Sequence, residues 1–568
     1  MSAMFDTLTE PGGRYGLNPR AWLVLMLLAI AALAPGLFSV PAMDRDESRY
    51  AQASRQMMET GDYLNIKLQD EDRHKQPAGT YWLQSLFAQP FGGADAPIGA
   101  HRLPGFILAL LAVAITAWLG ARLFGPGTGL MAGVILATTV VLAVEARTAK
   151  TDAILLGVGM IAQASLMMLM VQVKERRPGF IGWPAAMWAA LGASLLVKGP
   201  IFLMVTALTL IVFTAWKRDP GLLLKVRPLP GVALALAIFA PWFIAINLET
   251  DWAFAQTAVG YSMLDKVGEA QEAHAGPIGF HLVATLFTLW PGVALLPLGL
   301  AAAWTMRGED RVKFLIAWIV PTYIVFELVA TKLPHYTLPS FPALALLIAL
   351  GLGRAGDLLA STRLKAAHVI FAGLAVLVAF VLGAFPAGGT LYLQSEPNFA
   401  AWLSLAFAGL AAAAIVALAL KPSGSRLIAT GVAAAALYAC VFAVAIPSMD
   451  KLWPSERVGR LVDQVTGCET LTLATSGYEE PSNMVYLGTG VFLADEPVQA
   501  ANVLLSDPRC GLAVVDAGGI LEFGQRIQEG GGTLRLLATV EGHNYVKGDD
   551  LALGLYTLEG SDLRLERR

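Results

Sequence analysis

Residues 400–420 read AAWLSLAFAGLAAAAIVALAL, an apolar stretch without a charged side chain. A helix of about 20 apolar residues is long enough to cross the hydrocarbon core of a bilayer. Similar stretches recur along the whole chain, near residues 20–39, 103–120, 129–146, 152–172, 180–197, 200–216, 229–248, 281–303, 314–330, 337–352, 367–387 and 427–447. The pattern predicts a polytopic α-helical membrane protein with about 13 transmembrane helices, the first of them retained and not cleaved as a signal peptide.

The composition agrees with this class. Of 568 residues, 56% are hydrophobic and 15% are charged, against roughly 25% charged residues in a soluble globular protein. The net charge of -3 and the lack of a free basic block argue against nucleic-acid binding. The same apolar content excludes a disordered chain, and three cysteines are too few for a disulfide framework or a structural zinc site.

The positive charges of the short loops predict the orientation. If thirteen helices span the membrane, these charges fall on one face, which the positive-inside rule makes the cytoplasmic one. The N-terminus then lies in the cytoplasm and the C-terminus on the opposite side. The orienting side chains are Arg14, Arg20, Arg122, Lys174, Arg176, Arg177, Lys217, Arg218, Lys225, Arg227, Arg307, Arg311, Lys313, Arg354, Arg363, Lys365, Lys421 and Arg426.

Two portions outside the helices lie on the outer face, the loop 40–102 and the tail 448–568. We therefore expect a membrane domain over 1–447 and a small α/β domain over 448–568. In the tail, Pro454 to Arg457 reads as a helix start, and short apolar runs separated by Gly and Asp read as strands, at 471–474, 503–505, 512–515, 534–537 and 551–556. Cys468 and Cys510 both lie in this domain, where they either pair or remain two buried thiols.

Polar side chains collect at helix ends on the outer face, in the loops 40–102 and 249–280, in the turns 145–152 and 197–200, and in the segment 331–339. They include Asp46, Glu47, Arg49, Lys75, Arg147, Lys150, Asp152, Lys198, Lys266, Lys332, His335 and Tyr336. Ionisable groups drawn from several loops to one face predict a shared polar cavity at the membrane surface. The lysines run against the positive-inside trend, and a lipid-borne phosphate would attract them; isolated lysines that snorkel to the headgroups are the alternative.

The chain has no phosphate-binding loop and no dinucleotide fingerprint. An activated group used at the outer face must therefore arrive on a lipid, and a lipid-linked sugar phosphate fits this requirement. Glycosyl transfer needs a carboxylate near the acceptor, for which Asp46 and Glu47 are candidates. It also needs cations at the departing phosphate, and the candidates are Lys75, Arg147, Lys198 and Lys332. The rival classes are a flippase or transporter, which should show internal symmetry, and a structural scaffold.

Two features leave their roles open. Asp44 and Asp46 form a D-x-D spacing that suits a divalent cation, with His74 as a further candidate ligand, although an acidic loop produces this spacing by chance. Glu327 lies within an apolar run, where a carboxylate is costly. It either lines the cavity or caps a neighbouring helix.

Several motifs carry a family resemblance. The chain reads Asp46-Glu47-Ser48-Arg49-Tyr50-Ala51, then Lys75-x-Pro77-x-x-x-Tyr81-Trp82, then Arg147 to Asp152, Lys198-Gly199 and Lys332-Leu333-Pro334-x-Tyr336-x-Leu338-Pro339. In this order they resemble the lipid A aminoarabinose transferases, over about residues 20–350. The wider group is the type C glycosyltransferases, which include the protein O-mannosyltransferases.

The resemblance implies a type C glycosyltransferase fold in the bacterial inner membrane, a periplasmic C-terminal domain and an undecaprenyl-phosphate-linked sugar donor. It implies that Asp46 lies at the catalytic centre, that Lys75 and Tyr336 contact the donor phosphate, and that Arg49, Asp152, Lys198 and Lys266 line the cavity. Transfer of 4-amino-4-deoxy-L-arabinose to lipid A is the leading expectation. Because His74 stands where the family has Glu, galacturonic acid or a hexose as the sugar, and another glycan or a protein as the acceptor, stay open.

Overall fold

The structure is a computed structural model that describes residues 2–12, 16–172, 179–258, 260, 276–394 and 398–566. Within these ranges, six helices are long and apolar enough to cross a membrane: Ile98–Phe124, Asp152–Val171, Pro228–Glu249, Thr362–Leu393, Phe399–Leu420 and Gly424–Ala445. The helix pair Phe280–Thr288 and Gly292–Thr305 passes the same test but is bent by 110°. The described residues therefore hold up to seven such spans.

Shorter or more polar helices occupy the remaining apolar runs. They are Pro19–Leu33, Pro126–Ala137, Ile201–Lys217, Leu338–Gly353, Trp183–Lys198 and Asp310–Leu328. A helix or helix pair thus lies at every apolar run that the sequence predicts. The polytopic helical fold is confirmed, while the number of thirteen spans stays a prediction. Short helices connect these elements at Val140–Glu145, Leu222–Lys225, Ala253–Ala255 and Ala355–Leu358.

Small residues let two long helices approach closely. A Cβ atom added to Gly383 would lie 2.6 Å from the Cβ atom of Ala408, so a larger side chain does not fit there. The Ser404 hydroxyl, on the same helix as Ala408, donates a hydrogen bond of 2.5 Å to the Gly383 carbonyl. Contacts of this kind replace the hydrophobic driving force that is missing between helices in lipid.

The first loop folds into a helix, a short hairpin and a second helix. The helix Asp46–Thr60 carries two acidic residues in its first turn, where the positive end of the helix dipole stabilises their negative charges. It ends at Gly61, whose φ of +72° suits the left-handed conformation of a C-cap. The later elements are the strands Lys67–Leu68 and Glu71–Asp72, the helix Gly79–Ala88, and the 3-10 turns Gln89–Phe91 and Gly93–Asp95.

The C-terminal part contains a five-stranded mixed sheet. In spatial order its strands are Phe492–Ala494, Thr472–Ser476, Gly511–Asp516, Asp549–Leu558 and Leu534–Asn544. The first three strands run parallel to one another. Each of the last two is antiparallel to the strand before it in this order. The strands Val465–Thr466 and Arg564–Leu565 form a second, two-stranded sheet. The helices of this part are Pro454–Val462, Ser482–Leu487, Pro497–Ser506 and Ile520–Glu529.

Two expectations about this part have clear outcomes. Cys468 and Cys510 are joined by a disulfide, so the two sulfurs are bonded and are not separate thiols. The strand predicted at 503–505 is wrong, because these residues end the helix Pro497–Ser506. Glu496 and Gln499 form a capping box at its start, with Pro497 in the first turn, and these local signals outweigh the strand propensity of Val503.

Candidate functional site

A cavity of about 490 Å³ lies between the first loop and the helices that follow it. Its polar lining is formed by Lys75, Gln76, Asp152, Lys198 and Tyr336. Its larger wall is apolar, with Leu155, Leu195, Ile201, Met204, Phe239, Phe243, Phe254, Val325, Phe326 and Val329. The cavity is therefore amphiphilic, with charged groups and an aliphatic and aromatic surface in one space. This character fits a ligand that has both a charged group and a hydrocarbon chain.

Asp152 and Lys198 form the main ion pair of the cavity. The Lys198 ammonium donates to both carboxylate oxygens of Asp152, at 2.7 and 2.8 Å. The His335 imidazole lies on the other side of Asp152, with Nε2 3.7 Å from the carboxylate. The opposite ring nitrogen of His335 lies 3.5 Å from Glu145, which also accepts a hydrogen bond from Lys150 at 3.3 Å. Acidic and basic groups thus alternate along one network.

Asp46 lies at the start of the helix Asp46–Thr60, and its side chain is 64% exposed. The Arg49 guanidinium lies 3.8 Å away, one turn along the same helix. Burial alone would lower the pKa of Lys150, but Glu145, Asp152 and Asp46 outweigh burial and raise it. Asp46 is thus close enough to interact electrostatically with the network of the cavity, although it is not part of the cavity lining.

Glu47 has a different environment from its neighbour. It is 2% exposed, and both of its oxygens accept hydrogen bonds of 2.8 Å from the guanidinium of Arg102. They also accept from the backbone N–H groups of Met43 at 3.0 Å and of Ala149 at 2.7 Å. Burial would raise the pKa of Glu47, yet Arg102 and the two N–H groups lower it. Glu47 therefore joins the first loop to the turn 146–151.

Arg102 was not a candidate in the sequence, although it is central to this arrangement. Its guanidinium is fully buried and also donates to the carbonyls of Leu37 and Val40, at 2.8 and 2.6 Å. The signal was available, because an arginine just before a long apolar run is costly unless it is fully paired. Glu327, the other charged residue within an apolar run, is also fully paired. Its carboxylate accepts hydrogen bonds from the N–H groups of Gly279 and His281, at 3.0 and 2.9 Å. It therefore caps the helix Phe280–Thr288.

Arg147 and Lys332 do not line the cavity. The Arg147 guanidinium donates to the carbonyls of Ala32, Pro35 and Ala143. The Lys332 ammonium is likewise bonded to two backbone carbonyls, those of Glu327 at 3.0 Å and Val329 at 2.6 Å. Both cations hold backbone segments together, so neither the ammonium nor the guanidinium group faces a donor phosphate in the cavity.

Lys75 and Tyr336 line the cavity, and their contact with a donor phosphate stays a prediction. Lys75 is exposed, and its neighbour His74 is buried beside Asn65, with Nε2 3.3 Å from the amide oxygen. The Tyr336 ring contacts those of His281, Phe326 and His335, with centroids 6.2, 5.6 and 5.3 Å away. These contacts fix the ring at the edge of the cavity. Of the other predicted lining residues, Asp152 and Lys198 line the cavity, whereas Arg49 and His335 are not part of its lining. Lys266 lies outside the described residues.

The candidate metal ligands do not converge. Asp44 is buried and its carboxylate accepts hydrogen bonds from Ser482 and, at 3.1 Å, from Tyr478, whereas Asp46 is exposed. Among the residues that the structure describes, no group of three or more His, Cys, Asp or Glu side chains could hold a metal ion. We therefore derive no step of the reaction from a metal.

The fold and the cavity together define a polytopic helical membrane protein with an amphiphilic site beside a carboxylate-bearing loop. Comparison with known proteins identifies the relatives of this class. The sequence profile of the dolichyl-phosphate-mannose-protein mannosyltransferases matches residues 75–244. The undecaprenyl phosphate-alpha-4-amino-4-deoxy-L-arabinose arabinosyl transferase of Erwinia tasmaniensis is 29% identical over 341 residues, which are 59% of this chain and 60% of the relative. The same-named protein of Pseudomonas aeruginosa is 28% identical over 374 residues, covering 65% of this chain and 66% of that protein.

The fold has a solved counterpart over nearly its whole length. The crystal structure of ArnT from Cupriavidus metallidurans bound to undecaprenyl phosphate superposes with a TM-score of 0.74, at 19% identity, over 94% of this chain and 98% of that one. The chain matches only about three fifths of the length of the Erwinia relative. The resemblance to the aminoarabinose transferases, and more distantly to the protein mannosyltransferases, is confirmed.

Proposed function

We propose that this protein is a membrane glycosyltransferase that moves 4-amino-4-deoxy-L-arabinose from undecaprenyl phosphate to lipid A. The observation that carries the proposal is the cavity in which Lys75, Lys198 and Tyr336 face a wall of aliphatic and aromatic side chains. A polyprenyl phosphate needs both surfaces, one for its phosphate and one for its hydrocarbon tail. The names of the relatives supply the sugar, and the fold shared with ArnT supports the class of enzyme.

We assign binding of the donor phosphate to Lys75 and Tyr336, which both line the cavity. A lysine ammonium gives a phosphate oxygen a charge-assisted hydrogen bond, which is roughly twice as strong as a neutral one. Lys198 already donates to Asp152, so its charge reaches the phosphate only in part. We therefore assign Lys198 and Asp152 mainly to shaping the polar end of the cavity, and His335 to bridging Asp152 and Glu145.

The reaction is a substitution at the anomeric carbon of the sugar. An oxygen of the lipid A phosphate forms a bond to that carbon, while the bond between the carbon and the donor phosphate oxygen breaks. The electron pair of the broken bond leaves with undecaprenyl phosphate, whose negative charge Lys75 stabilises. No proton has to be removed from an acceptor that is already an anion.

Asp46 is the carboxylate that we assign to the reacting centre. Its exposed position at a helix start, with Arg49 3.8 Å away, leaves it accessible to the substrate. With a phosphate acceptor it steadies the positive charge that develops on the sugar, and with a hydroxyl acceptor it acts as the general base. Because both oxygens of Glu47 are occupied, we assign Glu47 to positioning Asp46 and not to the chemical step.

The same proposal includes the arrangement in the membrane. The chain would lie in the bacterial inner membrane with thirteen spans, a cytoplasmic N-terminus, a membrane domain over 1–447 and a periplasmic domain over 448–568. Transfer of galacturonic acid or a hexose is the alternative within the same class. A lipid-linked sugar flippase is the alternative of another class.

Reconstitution of the purified protein in proteoliposomes tests this proposal. The vesicles contain undecaprenyl-phosphate aminoarabinose and lipid A, and mass spectrometry follows the modified lipid A. The proposal expects aminoarabinose-bearing lipid A and the release of undecaprenyl phosphate. Movement of the intact donor across the bilayer without sugar transfer would support the flippase. Transfer only from a donor that carries another sugar would mean that aminoarabinose is not the substrate.

A further inference from the structure

The backbone just before Asp46 has an unusual conformation. Arg45 has φ of 65° and ψ of -120°, a region that residues with a Cβ atom rarely adopt. Such a conformation persists only where the surrounding structure holds it, and it is found preferentially at functional sites. Arg45 directly precedes the proposed catalytic carboxylate, so whatever holds this backbone also determines where Asp46 points.

On one side, the backbone is held by the membrane part of the chain. Glu47 accepts from the N–H groups of Met43 and Ala149 and forms a bidentate pair with Arg102. These contacts fix Glu47, which follows Arg45, and the backbone at Met43. They do not by themselves fix Asp44, the residue directly before Arg45.

On the other side, the backbone is held by residues of the C-terminal part, far along the chain. Ser482 and Tyr478 donate hydrogen bonds to the Asp44 carboxylate. The backbone N–H of Asp44 donates to the Tyr545 hydroxyl at 2.6 Å. Asp44 is 8% exposed, so these bonds are shielded from water.

Neighbouring contacts continue the same interface. The Arg45 guanidinium lies 3.5 Å from Glu480, and the N–H of Ala42 donates to the Tyr486 hydroxyl at 2.7 Å. The interface extends to Gln69, whose amide donates to the carbonyls of Thr489 and Val491 at 3.0 and 2.6 Å. Gln69 lies away from Arg45 in sequence and so offers a matched control.

We propose that Ser482, Tyr478 and Tyr545 form a clamp on Asp44, and that this clamp positions Asp46 for sugar transfer. The inference rests on the proposed function and assigns a role to the C-terminal part of the chain. Asp44 is a positioning residue, since it acts through the backbone of Arg45. With Asp44 clamped on one side and Glu47 on the other, Arg45 cannot relax to an ordinary conformation and Asp46 keeps its orientation.

The clamp predicts a specific kinetic effect. Misplacement of a reacting group by about 1 Å costs up to roughly 100-fold in rate, while the donor site at Lys75 is not part of the clamp. In the full-length protein we expect Asp44→Ala to lower kcat by about 10- to 100-fold and to leave the KM for the donor nearly unchanged. Asp44→Asn retains an oxygen acceptor and should restore most of kcat.

Variants on the partner side make the test independent of Asp44. Tyr478→Phe combined with Ser482→Ala should lower kcat in the same way. Adding Asp44→Ala to this pair should cause little further loss, because all three changes release one contact. Gln69→Ala, which removes bonds between the same two parts of the chain, should leave kcat unchanged.

Hydrogen exchange of the backbone amides at 43–50 gives a readout that needs no sugar substrate. The clamp predicts faster exchange there in Asp44→Ala and in the double variant, but not in Gln69→Ala. Unchanged kcat and unchanged exchange in Asp44→Ala would overturn the clamp, as would an equal effect of Gln69→Ala. If the wild-type protein transfers no aminoarabinose while exchange responds as predicted, the proposed function fails and the clamp stands.

Discussion

Lys198 donates from one ammonium group to both carboxylate oxygens of Asp152, at 2.7 and 2.8 Å, in the lining of the cavity. The two side chains are only 14% and 11% exposed. A charge pair in such a place is costly to break from one side, since the remaining charge loses its partner and cannot be fully hydrated.

The pair therefore predicts an asymmetric effect on stability. Asp152→Ala should destabilise the protein by about 2 kcal/mol, because it leaves the Lys198 ammonium without its main partner. Asp152→Ala combined with Lys198→Ala should be less destabilising than the single change. Thermal unfolding of the detergent-solubilised protein measures both, and a double variant less stable than Asp152→Ala would contradict this description of the pair.

Lys75 should determine the affinity for the donor phosphate. Lys75→Ala removes one charge-assisted hydrogen bond, so we expect undecaprenyl phosphate to bind roughly 10- to 100-fold more weakly. Lys67→Ala is the matched control, because Lys67 is an exposed lysine of the same loop outside the cavity. Binding can be measured by titration in nanodiscs. Equal loss of affinity in both variants would point to general electrostatic attraction.

Arg147 should behave as a structural residue. Arg147→Ala leaves the carbonyls of Ala32, Pro35 and Ala143 without this donor, so we expect a lower melting temperature and a lower yield of folded protein. The folded fraction should bind undecaprenyl phosphate with wild-type affinity. Titration of that fraction measures this directly, and a loss of affinity with unchanged melting would instead support the phosphate contact predicted from the sequence.

How much the sequence could predict differs between these residues. The sequence places Lys75, Asp152, Lys198 and Tyr336 in loops and helix ends of one face, and the structure brings these four to one cavity. Arg147 has the same chemistry and a similar position, yet its long side chain turns to backbone carbonyls. The direction of the Arg147 side chain depends on which backbone carbonyls the helix packing leaves without a partner. That packing cannot be inferred from a single sequence.

The environment of Asp44 was equally inaccessible to sequence reasoning. Its D-x-D spacing with Asp46 suggested a metal, whereas the structure pairs Asp44 with hydroxyl groups of Ser482 and Tyr478, more than 400 residues away in the chain. The contact exists only because the C-terminal part folds onto the first loop. A short motif such as D-x-D carries no information about contacts with residues so distant in the chain, because these contacts depend on the tertiary fold.

The buried carboxyl group of Asp44 should make the stability of the folded protein depend on pH. Burial, with a smaller contribution from Glu480, raises the pKa of Asp44 to about 6, although Ser482, Tyr478 and Tyr545 oppose the shift. The folded protein thus retains a proton that the unfolded chain loses near pH 4. The stability that Asp44 contributes is complete below about pH 4 and is lost as the pH rises through about 6.

Melting temperatures of Asp44→Asn and the wild type across this range check the sign. Relative to the wild type, Asp44→Asn should gain stability between pH 4 and pH 7, by up to about 3 kcal/mol. Asp70→Asn changes an exposed carboxylate of the same loop and should run parallel to the wild type. If the curve of Asp44→Asn also runs parallel, the pKa of Asp44 is the same in the folded and the unfolded state.

In the proposed function, Asp46 serves sugar transfer beside a cavity that holds the lipid phosphate. The most direct test is a comparison of Asp46→Asn with Asp70→Asn, using undecaprenyl-phosphate aminoarabinose and lipid A, with mass spectrometry of the product. We predict that Asp46→Asn loses at least about 100-fold in transfer rate, that it binds the donor with nearly wild-type affinity, and that Asp70→Asn retains full activity. Transfer by Asp46→Asn at the wild-type rate would show that Asp46 has no part in sugar transfer.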